Sequence, residues 1–187
     1  MDHFVAFLRR VKFNIVKGYD NYPYRQLRAR CMKILDERKD VIGNFDVKGG
    51  FYGRSADSSE PVTNLERNLA RPGFVKNMKQ SDYVLCARGA GNFSIRFYET
   101  LALGRIPLYI DTNAPLPFED RIDWDRYLVR VPVRKQNESG DILLDFHRRH
   151  RGPAFRKLQE DIRSLWCSYF EPDAFFRQMV RLVRKNQ

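Results

Sequence analysis

The sequence predicts an α/β domain in which helices cover both faces of a parallel sheet. Two short continuous apolar runs, Tyr83 to Ala87 and Ile106 to Ile110, have the length and composition of buried strands. A glycine-containing turn and one helical stretch lie between them, so strand, turn, helix and strand succeed one another within about thirty residues, the size of a βαβ unit. Helical periodicity on both sides then argues for a doubly wound arrangement.

From the N-terminus, Met1 to Arg10 carries an apolar patch, Phe4 to Leu8, followed by Arg9 and Arg10. A secretory leader has the opposite order of charge and apolar run. Leu27, Cys31, Ile34 and Leu35 place a helix over Tyr24 to Lys39, and Val41 to Phe45 has the composition of a short strand. Asp46 to Val62 is rich in Gly, Ser, Asp and Pro and reads as loop. A helical turn is expected from Asn64, and a second short helix over Gly73 to Gln80. After the first central strand comes the turn Arg88-Gly89-Ala90-Gly91-Asn92. Ser94 opens a helix with Ile95, Tyr98, Leu101 and Ala102 on its apolar side, and Gly104 stands where a left-handed C-terminal cap belongs. Pro107 sits at the start of the second strand, where a missing N–H is tolerated. Leu128 to Val133 is a third strand. Ile142 to Arg149, Phe155 to Tyr169 and Asp173 to Arg184 are helices, and Trp166, Phe170, Phe175 and Phe176 are expected to pack the last two together.

The 187 residues suffice for one core and not for two full-sized domains, and 43% are apolar. No run approaches the ~20 apolar residues of a membrane span. Three cysteines at wide spacing indicate neither a disulfide framework nor a zinc site. Together these features point to a cytoplasmic protein, with peripheral membrane contact left open. The net charge of +11 favours an anionic partner.

In a parallel sheet, ligands bind outside the carboxyl ends of the strands. Arg88 follows the first central strand, and Asp111, Thr112 and Asn113 follow the second, so both groups fall on one edge beside the N-terminus of the intervening helix. That terminus offers unpaired N–H groups and partial positive charge. Gly89 and Gly91 let the backbone approach a ligand, Asn92 lies in the same turn, and Ser94 caps or donates. Arg88 presents a planar fork suited to pyrophosphate. Arg96 and Glu99, three residues apart, share a helix face, one suited to phosphate and the other to ribose hydroxyls. Read singly, the glycines shape a turn and Arg96–Glu99 is a surface ion pair. Read together they describe an anion site compatible with a nucleoside diphosphate. Asp123-Trp124-Asp125 has a metal-binding spacing that arises easily by chance, and no metal site is assigned. His147 and His150 share a helix face among arginines and read as a solvated basic surface. Cys86 reads as a small core residue.

The stretch Ser81 to Trp124 resembles the C-terminal signature of exostosin-family glycosyltransferases. Its parts follow the family's order: Tyr83-x-Leu85-Cys86-x-Arg88-Gly89, Ser94-x-Arg96-Phe97-x-Glu99, Ala102-x-Gly104-x-Ile106-Pro107, Leu116-Pro117-Phe118 and Ile122-x-Trp124. The signature core covers residues 71–133, residues 1–70 match poorly, and residues 140–187 supply terminal helices. The resemblance implies one Rossmann-like domain over residues 1–187, equivalent to the C-terminal half of a GT-B enzyme. It implies an inverting transfer from a UDP-sugar to a glycan acceptor, with no cofactor or bound metal. Arg88, Ser94 and Arg96 would contact the diphosphate, Arg88 and Arg96 would steady the leaving group, Glu99 would hold the ribose, and Leu116-Pro117-Phe118 would line the cleft near the sugar. A GT-B enzyme needs roughly twice this length. The chain is then expected to be a fragment, to pair with a separate acceptor-binding domain, or to have lost catalysis. The alternative is a non-catalytic basic module binding anionic glycan or nucleic acid, with no specific nucleic-acid motif to support it.

Overall fold

The two central apolar runs form adjacent parallel strands, and the later Val-rich run adds a third. A computed structural model of the protein describes residues 23–47, 63–89 and 91–185. Strands β1 (Tyr83–Cys86), β2 (Ile106–Asp111) and β3 (Val129–Pro132) form one sheet in the order β1-β2-β3, all parallel. Cys86 lies opposite Tyr109, and Asp111 opposite Pro132. Pro107 faces Val84 one residue before pairing with β3 begins at Leu108, so its missing N–H falls where β2 has a ladder on one side only. As the middle strand, β2 is buried residue after residue from Ile106 to Ile110.

Helix α3 (Ile95–Ala102) returns the chain between β1 and β2. Phe97 lies against Tyr109 and Trp124, with ring centroids 5.6 and 5.1 Å away, while Thr100 meets Cys86 on the same face. Gly104, at φ +61°, ends the helix as expected. On the opposite face α4 (Ser139–Arg149) packs on β3, and Tyr83 reaches Phe146 and the Nδ1 of His147, the latter 3.0 Å from its hydroxyl. Helix α1 (Pro23–Asp36) joins α4, contributing the buried Cys31 and Leu35. Helix α5 (Pro153–Tyr169) packs on α3, and α6 (Pro172–Lys185) packs outside it on α5. Pro153 opens α5 at a position where its lack of an N–H costs nothing.

Several expectations change. Val41 to Phe45 is not a strand: Asn44 bonds reciprocally with Asn77, its carbonyl accepting at 2.9 Å from Asn77 Nδ2, so a helix end takes the place of a ladder. The two short helices expected after residue 63 are one, α2 (Asn64–Lys79), continuing through Pro72. A capping box starts it: the Thr63 hydroxyl accepts from Glu66 N while Glu66 accepts from Thr63 N. Buried Met78 anchors its other end. His147 and His150 are not a solvated basic face; besides the Tyr83 contact, His150 stacks on Phe146 with centroids 4.2 Å apart. Phe176 does not pack between the last helices and stands exposed, whereas Trp166 and Phe170 stack as expected. The N-terminal apolar patch, most of the Asp46 to Val62 loop and Ala90 lie outside the described residues. Among those described, no helix is long and apolar enough to cross a membrane.

Gly104 carries the sharpest local constraint. A Cβ there would meet the Gln159 carbonyl oxygen at 3.1 Å and Arg163 Cβ at 3.2 Å, on top of the left-handed backbone. Gly104→Ala should therefore cost about 1–3 kcal/mol in urea unfolding, whereas a shift within error would show that the α3–α5 contact gives way freely.

Candidate functional site

Because β1 and β2 are parallel, both deliver their carboxyl ends to the edge where α3 begins. Gly89 N donates to the Phe93 carbonyl at 2.9 Å, closing the turn after β1. The ring of Phe93 folds back so that a Cβ on Gly91 would lie 2.6 Å from it; Gly89 has no such restriction, with its nearest neighbour at 3.9 Å. The turn is then clasped to the loop after β2, as the Thr112 hydroxyl donates to Asn92 Oδ1 at 2.6 Å and Asn92 Nδ2 to the Thr112 carbonyl at 3.4 Å. Arg88 and Thr112 open onto a crevice of about 610 Å³. Its other walls are Tyr24, Leu27 and Arg30 of α1, and Val133 and Gln136 beyond β3. Sequence reading left these walls out, since neither segment carries a phosphate-binding pattern and only the sheet order brings them to this edge.

Asp111 is engaged within the scaffold. Its Oδ1 accepts from Asn113 N at 2.8 Å, and its Oδ2 from Arg130 Nη1 at 3.1 Å. Arg130 Nε donates in turn to Asp125 at 2.7 Å, which accounts for the second aspartate of the Asp-x-Asp triplet. Trp124, the central residue of that triplet, is core, and its indole N–H donates to the Pro117 carbonyl at 2.9 Å. Leu116 is buried, and Phe118 packs among Tyr169, Phe170 and Phe175. None of Leu116, Pro117 and Phe118 lines the crevice.

Ser94 is the N-cap residue of α3, but its side chain makes no capping bond. The hydroxyl is buried and has no hydrogen-bond partner among the described residues. It lies at a hollow of about 20 Å³ lined by Phe97, Tyr109, Ala114 and Leu116. An orphaned buried hydroxyl carries a desolvation cost that a bond to a ligand removes.

Arg96 and Glu99 pair at 3.7 Å on the other flank of the helix. The Arg96 guanidinium sits 4.4 Å above the Phe74 ring of α2. Burial first, and then the facing charge of Arg28, holds its pKa below the usual arginine range. Burial pushes the Glu99 carboxyl up, against the opposing pull of Arg96 and Arg71. Arg28 Nη2 donates to the Ala87 carbonyl at 3.3 Å, directly before Arg88. Arg28, Arg30, Arg88 and Arg96 thus surround the end of β1, with Glu99 and Asp46 as the carboxylates that act on Arg96. Such an edge attracts a multiply charged anion.

The fold and this edge define a basic α/β domain with a crevice at the carboxyl ends of its strands. A family model of the exostosin GT47 domain matches residues 14–145, well over half of the chain, and the protein belongs to that glycosyltransferase family. It is 32% identical over 93 residues to a probable glucuronosyltransferase of Oryza sativa subsp. japonica, covering 46% of this chain and 22% of that protein. It is 30% identical over 153 residues to another from the same organism, covering 75% and 36% respectively. It is also 30% identical over 92 residues to the exostosin-1 homolog of Caenorhabditis elegans, covering 49% and 23%. The chain thus spans between 22% and 36% of the length of these relatives. No solved structure matches it significantly.

Two outcomes follow. Ser94→Ala removes a hydroxyl that makes no capping bond and bonds to nothing among the described residues, so urea unfolding should show stability unchanged or raised by up to about 1 kcal/mol; a loss above that would reveal a structural bond. Burial pushes the Cys31 thiol up to about 11 and the Cys86 thiol up to about 12, while Cys167 is exposed. Iodoacetamide at pH 8 should label Cys167 alone until the protein unfolds, as read by peptide mass spectrometry.

Proposed function

We propose that this chain is the donor-binding domain of an exostosin-type glycosyltransferase and holds a UDP-sugar for transfer to a glycan hydroxyl. The observation that carries the proposal is the crevice at the carboxyl edge of the sheet, with Arg30, Arg88 and Thr112 on its walls and Thr112 clasped to Asn92 ahead of α3. Its size suits a nucleotide sugar. The diphosphate lies between the Arg88 guanidinium and the first turn of α3, where free N–H groups and the helix dipole meet its charge. Ser94 offers its hydroxyl to the same group. Arg96, held by Glu99 and Phe74, adds a second guanidinium, and Glu99 accepts from the ribose hydroxyls. UDP serves here as part of the donor substrate, and no cofactor is called on.

In an inverting transfer the acceptor hydroxyl attacks the anomeric carbon from the face opposite UDP, forming the new C–O bond as the bond to the phosphate oxygen breaks. The hydroxyl proton passes to a general base, and negative charge grows on the departing UDP. Arg88 and Arg96 stabilise that charge where it develops. The base and the acceptor site belong to an acceptor-binding half, consistent with relatives several times longer than the matched regions.

Calorimetry with UDP, GDP and ADP tests this reading directly. UDP should bind selectively, and Arg88→Ala should weaken it about ten- to hundredfold, as expected for loss of a charge-assisted contact. Glu99→Gln should weaken UDP while leaving inorganic pyrophosphate unaffected; equal loss for both would remove Glu99 from the ribose. Absence of nucleotide binding, with duplex DNA or heparin bound in a steeply salt-dependent manner, would instead establish a general polyanion surface.

A further inference from the structure

Helix α6 presents an apolar face that the other described residues leave exposed. Phe176, Val180 and Val183 are 69%, 49% and 58% exposed, and Phe175 and Met179 are partly exposed beside them. Their spacing places all five on one continuous arc of the helix. The adjacent arc carries Arg177, Arg181 and Arg184, all exposed. The remaining side faces α5, where Gln178 Nε2 donates to the Ser168 carbonyl at 3.1 Å and its Oε1 accepts from Arg121 at 3.3 Å. The acidic residues of this segment, Glu171 and Asp173, sit at the N-terminal end of the helix, where Asp173 is one turn from Arg177, while Arg181 and Arg184 lie in later turns that carry no acidic residue.

A helix with aromatic and aliphatic side chains on one arc and arginines along its border has the composition of a segment that lies in the plane of a membrane interface. We propose that α6 docks the domain on an anionic lipid surface, with Phe176, Val180 and Val183 entering the acyl boundary and Arg177, Arg181 and Arg184 meeting headgroup phosphates. Charge selects this occupant. A second copy would bring the same arginines and the same net +11 to the contact, whereas anionic headgroups supply the complementary sign and attract basic residues near the surface. The docking surface is independent of the donor site, since no residue of α6 lines the crevice.

Co-sedimentation of the full chain with phosphatidylcholine vesicles, with and without phosphatidylglycerol, tests the assignment. Binding should be at least about tenfold stronger on the anionic vesicles. Phe176→Ser/Val180→Ser and, separately, Arg177→Gln/Arg181→Gln should each lower it by roughly tenfold or more. These side chains are exposed, so circular dichroism and melting should match the parent protein. Phe176→Trp should show a blue-shifted emission when anionic vesicles are added. Equal partition onto both vesicle types would overturn the proposal, as would parental binding by Phe176→Ser/Val180→Ser. A dimer in sedimentation equilibrium that this double variant dissolves would assign the face to a second copy instead.

Discussion

In the parallel pairing of β1 with β2, Cys86 stands opposite Tyr109, and this register decides which loops meet at the crevice. Parallel neighbours need a crossover, and α3 provides it, running back across the sheet so that its N-terminus meets the carboxyl ends of both strands. The packing that secures α3 also secures the register: Phe97 against Tyr109 and Trp124, and Thr100 beside Cys86. The Asn92–Thr112 clasp then joins the two loops at that edge. Arg88 and Thr112 become walls of one crevice because the strands beneath them are held side by side.

Four arginines, Arg28, Arg30, Arg88 and Arg96, gather at the end of β1. Further along the same edge, Arg130 is balanced by Asp111 and Asp125, so the end of β2 is internally satisfied. Around the end of β1 the balance differs. Arg28 and Arg96 act on each other as like charges, and Arg96 is held by the Phe74 ring and by its pairing with Glu99, with Asp46 as a further carboxylate acting on it. The unbonded Ser94 hydroxyl at the same helix start adds a second unmet demand. Like charges near one another and an orphaned buried hydroxyl both cost stability. Under the proposed reading, a bound diphosphate would offset the like-charge repulsion at this edge.

The aromatic residues divide between two tasks. Trp124, Phe170, Phe118 and Tyr169 tie the loop after β2 to the last two helices, with Phe118 at φ +56° turned into that cluster. The Leu116 to Phe118 segment is thereby committed to packing. Phe176, next along α6, is excluded from the cluster and faces outward with Val180 and Val183. The same helix thus closes the domain on one side and offers a lipid-compatible arc on the other.

The sequence alone determined the βαβ centre, because an apolar strand run, a glycine turn and a helix ending at Gly104 are local patterns with local causes. It also placed Arg88 at the end of β1 and Ser94, Arg96 and Glu99 along the first turns of α3, positions that follow from one turn and one helix. Other features depended on partners distant in the chain. Val41 to Phe45 has the composition of a strand yet bonds to Asn77, and α2 continues through Pro72 because its capping box and Met78 secure the two ends. His147 and His150 read as surface until Tyr83 and Phe146 were brought against them. The α1 wall of the crevice, the engagement of Asp111 by Arg130 and the exposure of Phe176 were settled only by tertiary structure. Each depends on which elements become neighbours across the sheet, and residue type and spacing encode periodicity within an element but not the identity of what packs against it.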